Sequence, residues 1–131
     1  MKIESQIIEQ ANKALKSAHI VQDEQYDKVF KGYISSFGAS VAQAGLLPTV
    51  IFFEAESEQA SERKKIIMAL KNLLKQNDWL PNYQSGSLAE YLLHNELSDD
   101  KQILSNVTAC MVALKLALRM YKEKESKKDK Q

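Results

Sequence analysis

The sequence predicts an all-α protein: a single-domain bundle of about five to six helices with a long, largely apolar C-terminal helix. Three observations carry that expectation. Apolar residues recur at helical rather than alternating spacing along most of the 131 residues. Only 4 Gly and 2 Pro interrupt them. The composition, 44% hydrophobic and 27% charged, suits a chain whose folding buries roughly two-thirds of its unfolded surface in one core. Fibrous and wholly disordered classes are excluded on the same grounds. Residues 1–121 read as the helical domain; residues 122–131, with five Lys, two Glu, one Asp and no apolar side chain, read as a charged tail that should fray.

The first helix carries a stripe of Ile7, Ala11, Ala14, Leu15 and Ala18, and the polar run from Gln22 to Gln25 separates it from the second. On the second, Tyr26, Val29, Phe30, Tyr33, Ile34, Phe37 and Val41 share a face, and Gly45 supplies the stop. Gly38 inside that run predicts a kink or a close contact. Residues 46–53 are β-branched and aromatic, which favours a strand, but Pro48 suits a first helical turn and a lone strand would have no partner, so a short buried helix is expected. A fourth helix, from about Glu58 to Asn77, turns Ile66, Ile67, Leu70, Leu73 and Leu74 inward and ends at Trp79-Leu80-Pro81. Ser87-Leu88-Ala89-Glu90 has the capping-box spacing and opens a short helix. Ser98 is the expected cap of the last one, with Asp99 and Asp100 at its positive end. Between residues 107 and 118, ten of twelve positions are Val, Ala, Cys, Met or Leu, so that helix is central to its fold or covered by a partner. It is too short and interrupted for a bilayer, which needs about 20 residues.

Eighteen Lys and Arg against seventeen Asp and Glu give a formal charge of +1, which by itself argues against nucleic acid. The distribution says otherwise. Residues 54–62 hold Glu54, Glu56, Glu58 and Glu62 and no base; residues 63–77 hold Arg63, Lys64, Lys65, Lys71 and Lys75 and no acid. On a helical wheel Lys64, Lys71 and Lys75 fall within about 40° of one another. On the last helix Lys101, Thr108, Lys115, Arg119 and Lys122 fall within about 60°, with no acid between Lys101 and Lys122. Such strips can follow a phosphate backbone, each cation neutralising about one phosphate. Each also fits the solvated face of an amphipathic helix, although the narrow strip on the last helix fits that description less well.

Other chemistry is sparse. One cysteine, Cys110, and two histidines, His19 and His94, allow neither a disulfide framework nor a Cys/His zinc site within the chain. Cys110 lies in the apolar run and is expected to be a buried, inert thiol. His94 has Glu90 four residues before it, but no nucleophile or metal set completes a catalytic group, and both histidines read as helix-end residues. Asp99-Asp100 is better explained by the helix dipole than by a metal. Phe30, Tyr33, Phe37, Phe52 and Phe53 read as core rather than a base-stacking platform; Trp79 and Tyr83 are better placed for an outside contact, though burial is the leading reading there too. Met1-Lys2-Ile3-Glu4 interleaves base and acid and predicts no secretory signal, so a cytoplasmic protein with no cofactor and no membrane partner is expected.

The order of elements then resembles a known family. An Ala-rich first helix, a Tyr/Phe-bearing second helix ending Gln43-Ala44-Gly45-Leu46-Leu47-Pro48 and running into Val50-Ile51-Phe52-Phe53, a Leu/Lys helix closing at Trp79-Leu80, and a last helix with Arg119 are similar to the small helical subunit of the type III-B CRISPR RNA-guided effector, the Cmr complex. The resemblance covers essentially residues 1–122. Where the family often has a proline before the Gly-Leu, this chain has Gly38; of the family's aromatic and Lys-Arg pair in the last helix it keeps Arg119 and places Lys115 a turn earlier. The resemblance implies an all-helical subunit with no catalytic role, stacking with copies of itself beside larger subunits and lining the channel for guide and target RNA. Base pairing reads sequence in such systems, while protein senses backbone and shape. Lys64, Lys71, Lys75, Lys115 and Arg119 are the candidate RNA contacts, with Lys101 and Lys122 peripheral. The alternative is a helical interaction module without nucleic-acid contact, docking copies through its charge blocks and apolar last helix.

Overall fold

The expected stripe of Ile7, Ala11, Ala14 and Leu15 is the buried face of α1 (Ser5–Ser17) in a computed structural model that describes residues 3–55 and 61–125. Its alanines let it lie close against two central helices, Ser61–Gln76 and Lys101–Leu118. The helix closes without glycine. His19 stands at φ 62°, its N–H donates to the Lys16 carbonyl at 3.1 Å, and the Ile20 N–H donates to Leu15 at 2.9 Å. This is the Schellman pattern, sealed by Ile20 against Leu15.

Beyond it the polar run expected to be a plain separator is a hairpin. β1 (Val21–Gln22) pairs antiparallel with β2 (Gln25–Tyr26). Asp23 and Glu24 between them both have positive φ, 55° and 61°, the requirement of a type I′ turn. Tyr26 therefore belongs to a strand and not to the second helix. That helix, α2 (Lys28–Ala44), starts at Asp27, whose carboxylate accepts the Val29 N–H at 2.9 Å. Phe30, Ile34 and Phe37 are buried. The helix runs through Gly38 unbroken, and a Cβ there would meet nothing within 4 Å. The close contact expected at Gly38 does not exist; its bare backbone is exposed on a groove.

At Gly45, φ 96°, the chain turns directly into α3 (Leu46–Glu54). A side chain is disfavoured in that conformation, which is the reason for glycine. Pro48 lies in the first turn, as expected for a helix. Thr49 is fully buried, its hydroxyl donating to the Gly45 carbonyl at 2.9 Å and bonded to Ser40 Oγ at 2.7 Å. Phe53 meets Phe37 edge to face at 5.1 Å, tying α3 to α2.

The next helix, α4 (Ser61–Gln76), buries Ile66, Ile67, Ala69, Leu70, Leu73 and Leu74 and packs on α1, α2 and α3. Its expected start near Glu58 lies outside the described residues. It too ends in a Schellman turn, with Asp78 at φ 56° and Trp79 N–H donating to Leu74 at 2.9 Å. The short α5 (Leu88–His94) is capped twice. Ser87 Oγ accepts the Glu90 N–H at 3.2 Å. Glu54, from the end of α3, accepts from Ser87 Oγ and Leu88 N–H at 2.8 Å each and from Ala89 N–H at 3.0 Å. A carboxylate on free N–H groups at a helix start is a charge-assisted cap.

The last helix, α6 (Lys101–Leu118), is capped by Asp100, which accepts Ile103 N–H at 2.9 Å, and not by Ser98. The reason is upstream: α5 closes with Glu96 at φ 55° and Leu97 N–H donating to Leu92 at 2.8 Å, and Ser98 and Asp99 are needed to turn the chain. Ile103, Val107, Cys110, Met111, Ala113, Leu114, Ala117 and Leu118 are buried against α1, α2 and α4. By length and composition alone α6 passes for a membrane span; eight of its eighteen residues are buried in the protein. After it, β3 (Lys122–Glu123) pairs parallel with β2, and Lys124 N–H donates to Tyr26 at 2.8 Å. Tyr121 also donates its hydroxyl to Asn12 of α1. Lys122 and Glu123, read from sequence as the start of the fraying tail, are thus paired; residues 126–131 of that tail lie outside the described residues.

Candidate nucleic-acid interface

The five bases of α4 do not act alike. Arg63 sets its guanidinium 4.3 Å from the centre of the Phe52 ring. Lys65 pairs with Glu62 at 3.4 Å and lies 5.6 Å from the Phe30 ring. Both are committed to holding α4 against α2 and α3. Lys64 is half-buried and has an interaction of its own. Lys71 and Lys75 remain, and the structure adds a partner that the wheel did not include.

That partner is Tyr83. Its ring centre lies 6.0 Å from Lys71 Nζ and 5.7 Å from Lys75 Nζ, and its hydroxyl donates to the Gly86 carbonyl at 2.6 Å. Lys71 Nζ donates to the same carbonyl at 3.1 Å. Tyr83 in turn meets Tyr91 of α5 edge to face at 5.5 Å. An aromatic face attracts a cation without neutralising it, and the carbonyl uses one of the three Lys71 donors. The result is an open groove of about 550 Å³ between α4 and the 82–86 turn, lined by Lys71, Lys75, Asn72, Gln76 and Tyr83 and, among the described residues, by no acid. We refer to it as the α4 groove.

Lys115 and Arg119 lie elsewhere, exposed on the last turns of α6. Here the structure brings in Lys31 of α2. Lys31, Ser35, Lys115 and Arg119 border one depression of about 250 Å³ above Tyr26, Ile34 and Leu118. No acid lines it. Among the described residues these three cations have no ion pair, hydrogen bond or ring contact. Lys101 is exposed at the opposite end of α6, about 21 Å from Lys115 at 1.5 Å per residue. Lys122 is exposed on β3, past the helix end. The strip read along α6 is therefore a cluster at one end with a separate lysine at the other.

Lys31 was missed, and Tyr83, singled out in the sequence for an outside contact, was not placed beside Lys71 and Lys75. Lys31, Ser35 and Gly38 are spaced i, i+4, i+7 beside the apolar face of α2, a signal present in the sequence. Nothing local to Tyr83 says that the Pro81 turn folds it back over α4.

The remaining chemistry is quiet. Cys110 is free and buried, and burial pushes its thiol up to about 12. Burial also raises Tyr91, whose hydroxyl donates to the Pro81 carbonyl at 2.9 Å. His19 and His94 are exposed. Among the described residues no three of His, Cys, Asp and Glu converge as metal ligands would.

The family model described as CRISPR-associated protein (Cas_Cmr5) matches residues 6–128. No curated protein and no solved structure matches the chain.

Proposed function

The chain belongs to the CRISPR-associated Cas_Cmr5 family, the small subunits of type III-B Cmr complexes, and from that premise we propose that it is a non-catalytic RNA-binding subunit. In this reading it stacks with copies of itself in the assembled effector and holds the backbone of guide and target RNA, serving antiviral defence in the cytoplasm. Lys71 and Lys75 contact phosphates from the α4 groove; Lys115, Arg119 and the newly recognised Lys31 do so from the α2–α6 side. Lys64, Lys101 and Lys122 are peripheral.

The observation that carries the reading is the chemistry of the two grooves. Each gathers two or three cations and, among the described residues, is lined by no acid, although the whole chain is nearly neutral. Surface lysines in a neutral protein ordinarily lie among carboxylates, so acid-free grooves favour a polyanionic partner. The side chains described around the α2–α6 depression include no amide for base-edge recognition, and in the α4 groove Gln76 already donates to Asn72, which suits a protein that leaves sequence to base pairing. The near-neutral total limits the isolated subunit to weak binding, and several copies along one strand restore affinity. A buried thiol at about 12 and exposed, separate histidines support a structural rather than a catalytic role.

The test is the salt dependence of target-RNA affinity in the assembled complex. Replacing Lys115 and Arg119 by Ala should lower the slope of log K against log salt by about 2; an unchanged slope removes them from the interface. A second reading, a module that contacts protein alone, is favoured by one observation. Ile51 and Phe52, neighbours on α3, are 50% and 55% exposed, an unusual display for side chains of that size. RNA crosslinking of the complex separates the two: normal assembly with no crosslink to this subunit supports the second.

A further inference from the structure

The groove between α2 and α6 carries more chemistry than a row of phosphate contacts requires. The cationic depression bordered by Lys31, Lys115 and Arg119 adjoins a second of about 250 Å³, and Ile34, Ser35 and Lys115 form the wall common to both. The second is lined mainly by Phe37, Val41, Val107, Met111 and Val112, with the bare backbone of Gly38 at its edge. Together the two reach the size range in which proteins hold small organic groups, roughly 300–1,000 Å³. One end is cationic, its charges without a partner among the described residues; the other is apolar.

A nucleotide has this same division, an anionic phosphate on one side of the ribose and a base with apolar faces on the other. We propose that the α2–α6 groove is a nucleotide site for single-stranded RNA. Lys31, Lys115 and Arg119 hold phosphate, Ser35 on the shared wall faces the ribose, and the apolar depression takes one base. The inference rests on the reading of this groove as RNA-facing and adds the base to it. Its charge complementarity selects RNA over an apolar peptide, because a rim of three cations, with no acid among the described residues, has no use for a neutral segment. The site takes any base. Besides Ser35 and Lys115, the polar side chain lining the apolar half is Thr108, and its hydroxyl already donates to the Leu104 carbonyl at 2.8 Å. Base faces are alike in offering apolar area, whereas base edges need donors and acceptors to be told apart.

Gly38 makes the inference testable without threatening the fold. It lies inside α2, where a Cβ would meet nothing within 4 Å, and a leucine is a better helix former than glycine. Gly38→Leu fills the apolar depression and leaves every cation in place. The experiment is an NMR titration of the full chain at low salt with three probes: a ten-nucleotide oligouridylate, the corresponding oligoadenylate, and an abasic oligomer of the same length. Both base-bearing oligomers should shift the methyl signals of Val107 and Met111 and bind about fivefold more tightly than the abasic one. Gly38→Leu should bring all three to the abasic affinity. Lys31→Ala should weaken all three alike, by about threefold.

Equal binding of the abasic oligomer, or no effect of Gly38→Leu, overturns the base site and leaves the phosphate reading intact. A preference of more than tenfold between uridylate and adenylate overturns the base-indifferent form. If no probe perturbs Lys31, Lys115 or Arg119 even at millimolar concentration, and the complex keeps its salt slope when Lys115 and Arg119 are replaced, both the inference and the underlying reading of this groove fall.

Discussion

The two cationic grooves differ in how their charges are held. In the α4 groove, Lys71 and Lys75 lie against the ring of Tyr83, and Lys71 and the Tyr83 hydroxyl share the Gly86 carbonyl. Their geometry is set before any ligand arrives. In the α2–α6 groove, Lys31, Lys115 and Arg119 have no such partners among the described residues. A tethered cation loses less side-chain entropy on binding, while a loose one adapts to where the phosphate lies. The first groove suits a backbone of fixed path, and the second a strand whose path varies.

The largest expected effect separates the grooves outright. Glu54 ties the end of α3 to the start of α5, through the Ser87 hydroxyl and the N–H groups of Leu88 and Ala89. Glu54→Ala should cost about 2–3 kcal/mol, because hydrogen bonds to a charged group are lost and a helix end is left uncapped. Hydrogen exchange should show residues 82–94 losing protection while residues 28–44 keep theirs. The α4 groove would then fail and the α2–α6 groove persist. Uniform loss of protection would show that the two are one cooperative unit.

High pH should act on both grooves together, through the core that α6 shares with α4. Burial raises the Cys110 thiol to about 12 from an ordinary 9.0. The folded state therefore keeps a proton that the unfolded state releases. This stability is complete below about pH 9 and falls as pH rises toward 12, by about 1.4 kcal/mol per pH unit. Tyr91 shifts in the same direction and adds to the fall. Denaturant unfolding between pH 8.5 and 11 should show the loss, and Cys110→Ala should remove its thiol component while lowering stability at neutral pH.

A smaller effect sharpens the contrast between tethered and loose cations. Tyr83→Leu keeps an apolar body against Tyr91 but removes both the ring face and the hydroxyl. Affinity for RNA in the assembled complex should fall by about threefold, the range of an exposed cation–π contact, with the salt slope unchanged, because no charge is lost. Tyr83→Phe should lie between. The smallest effect is a control: His19→Gly relieves a left-handed residue in the Schellman turn of α1 and should stabilise by about 0.5 kcal/mol, with RNA affinity unaltered.

Much of this architecture is legible in the sequence because each helix carries its own stripe. Ile7/Ala11/Ala14/Leu15 and Phe30/Ile34/Phe37 are periodic enough to settle both position and buried face. The apolar circumference of α6 correctly places it at the centre, since it must face several neighbours at once. What escaped has no periodic signal. The hairpin turns on Asp23-Glu24, where the usual Asn-Gly is absent. Three helices end on His19, Asp78 and Glu96 instead of glycine, so their closing turns show only as the apolar residue that follows each. The cap of α6 shifted from Ser98 to Asp100 because α5 ends where it does, a fact of tertiary spacing. The same divide runs through the site. Wheel geometry identifies Lys71 and Lys75 as neighbours on one helix, but the approach of Lys31 to Arg119 and of Tyr83 to Lys71 depends on how different elements pack.

The central claim is that both grooves hold RNA backbone through their cations. It is tested most directly by target-RNA affinity of the assembled complex across a salt series, for the native chain, Lys71→Ala/Lys75→Ala, Lys115→Ala/Arg119→Ala and the four substitutions combined. Each pair should lower the slope of log K against log salt by about 2, and the combination by about twice that, since separate phosphate contacts release counterions independently. A slope that stays the same in the fourfold variant, with the complex assembled normally, would contradict the claim.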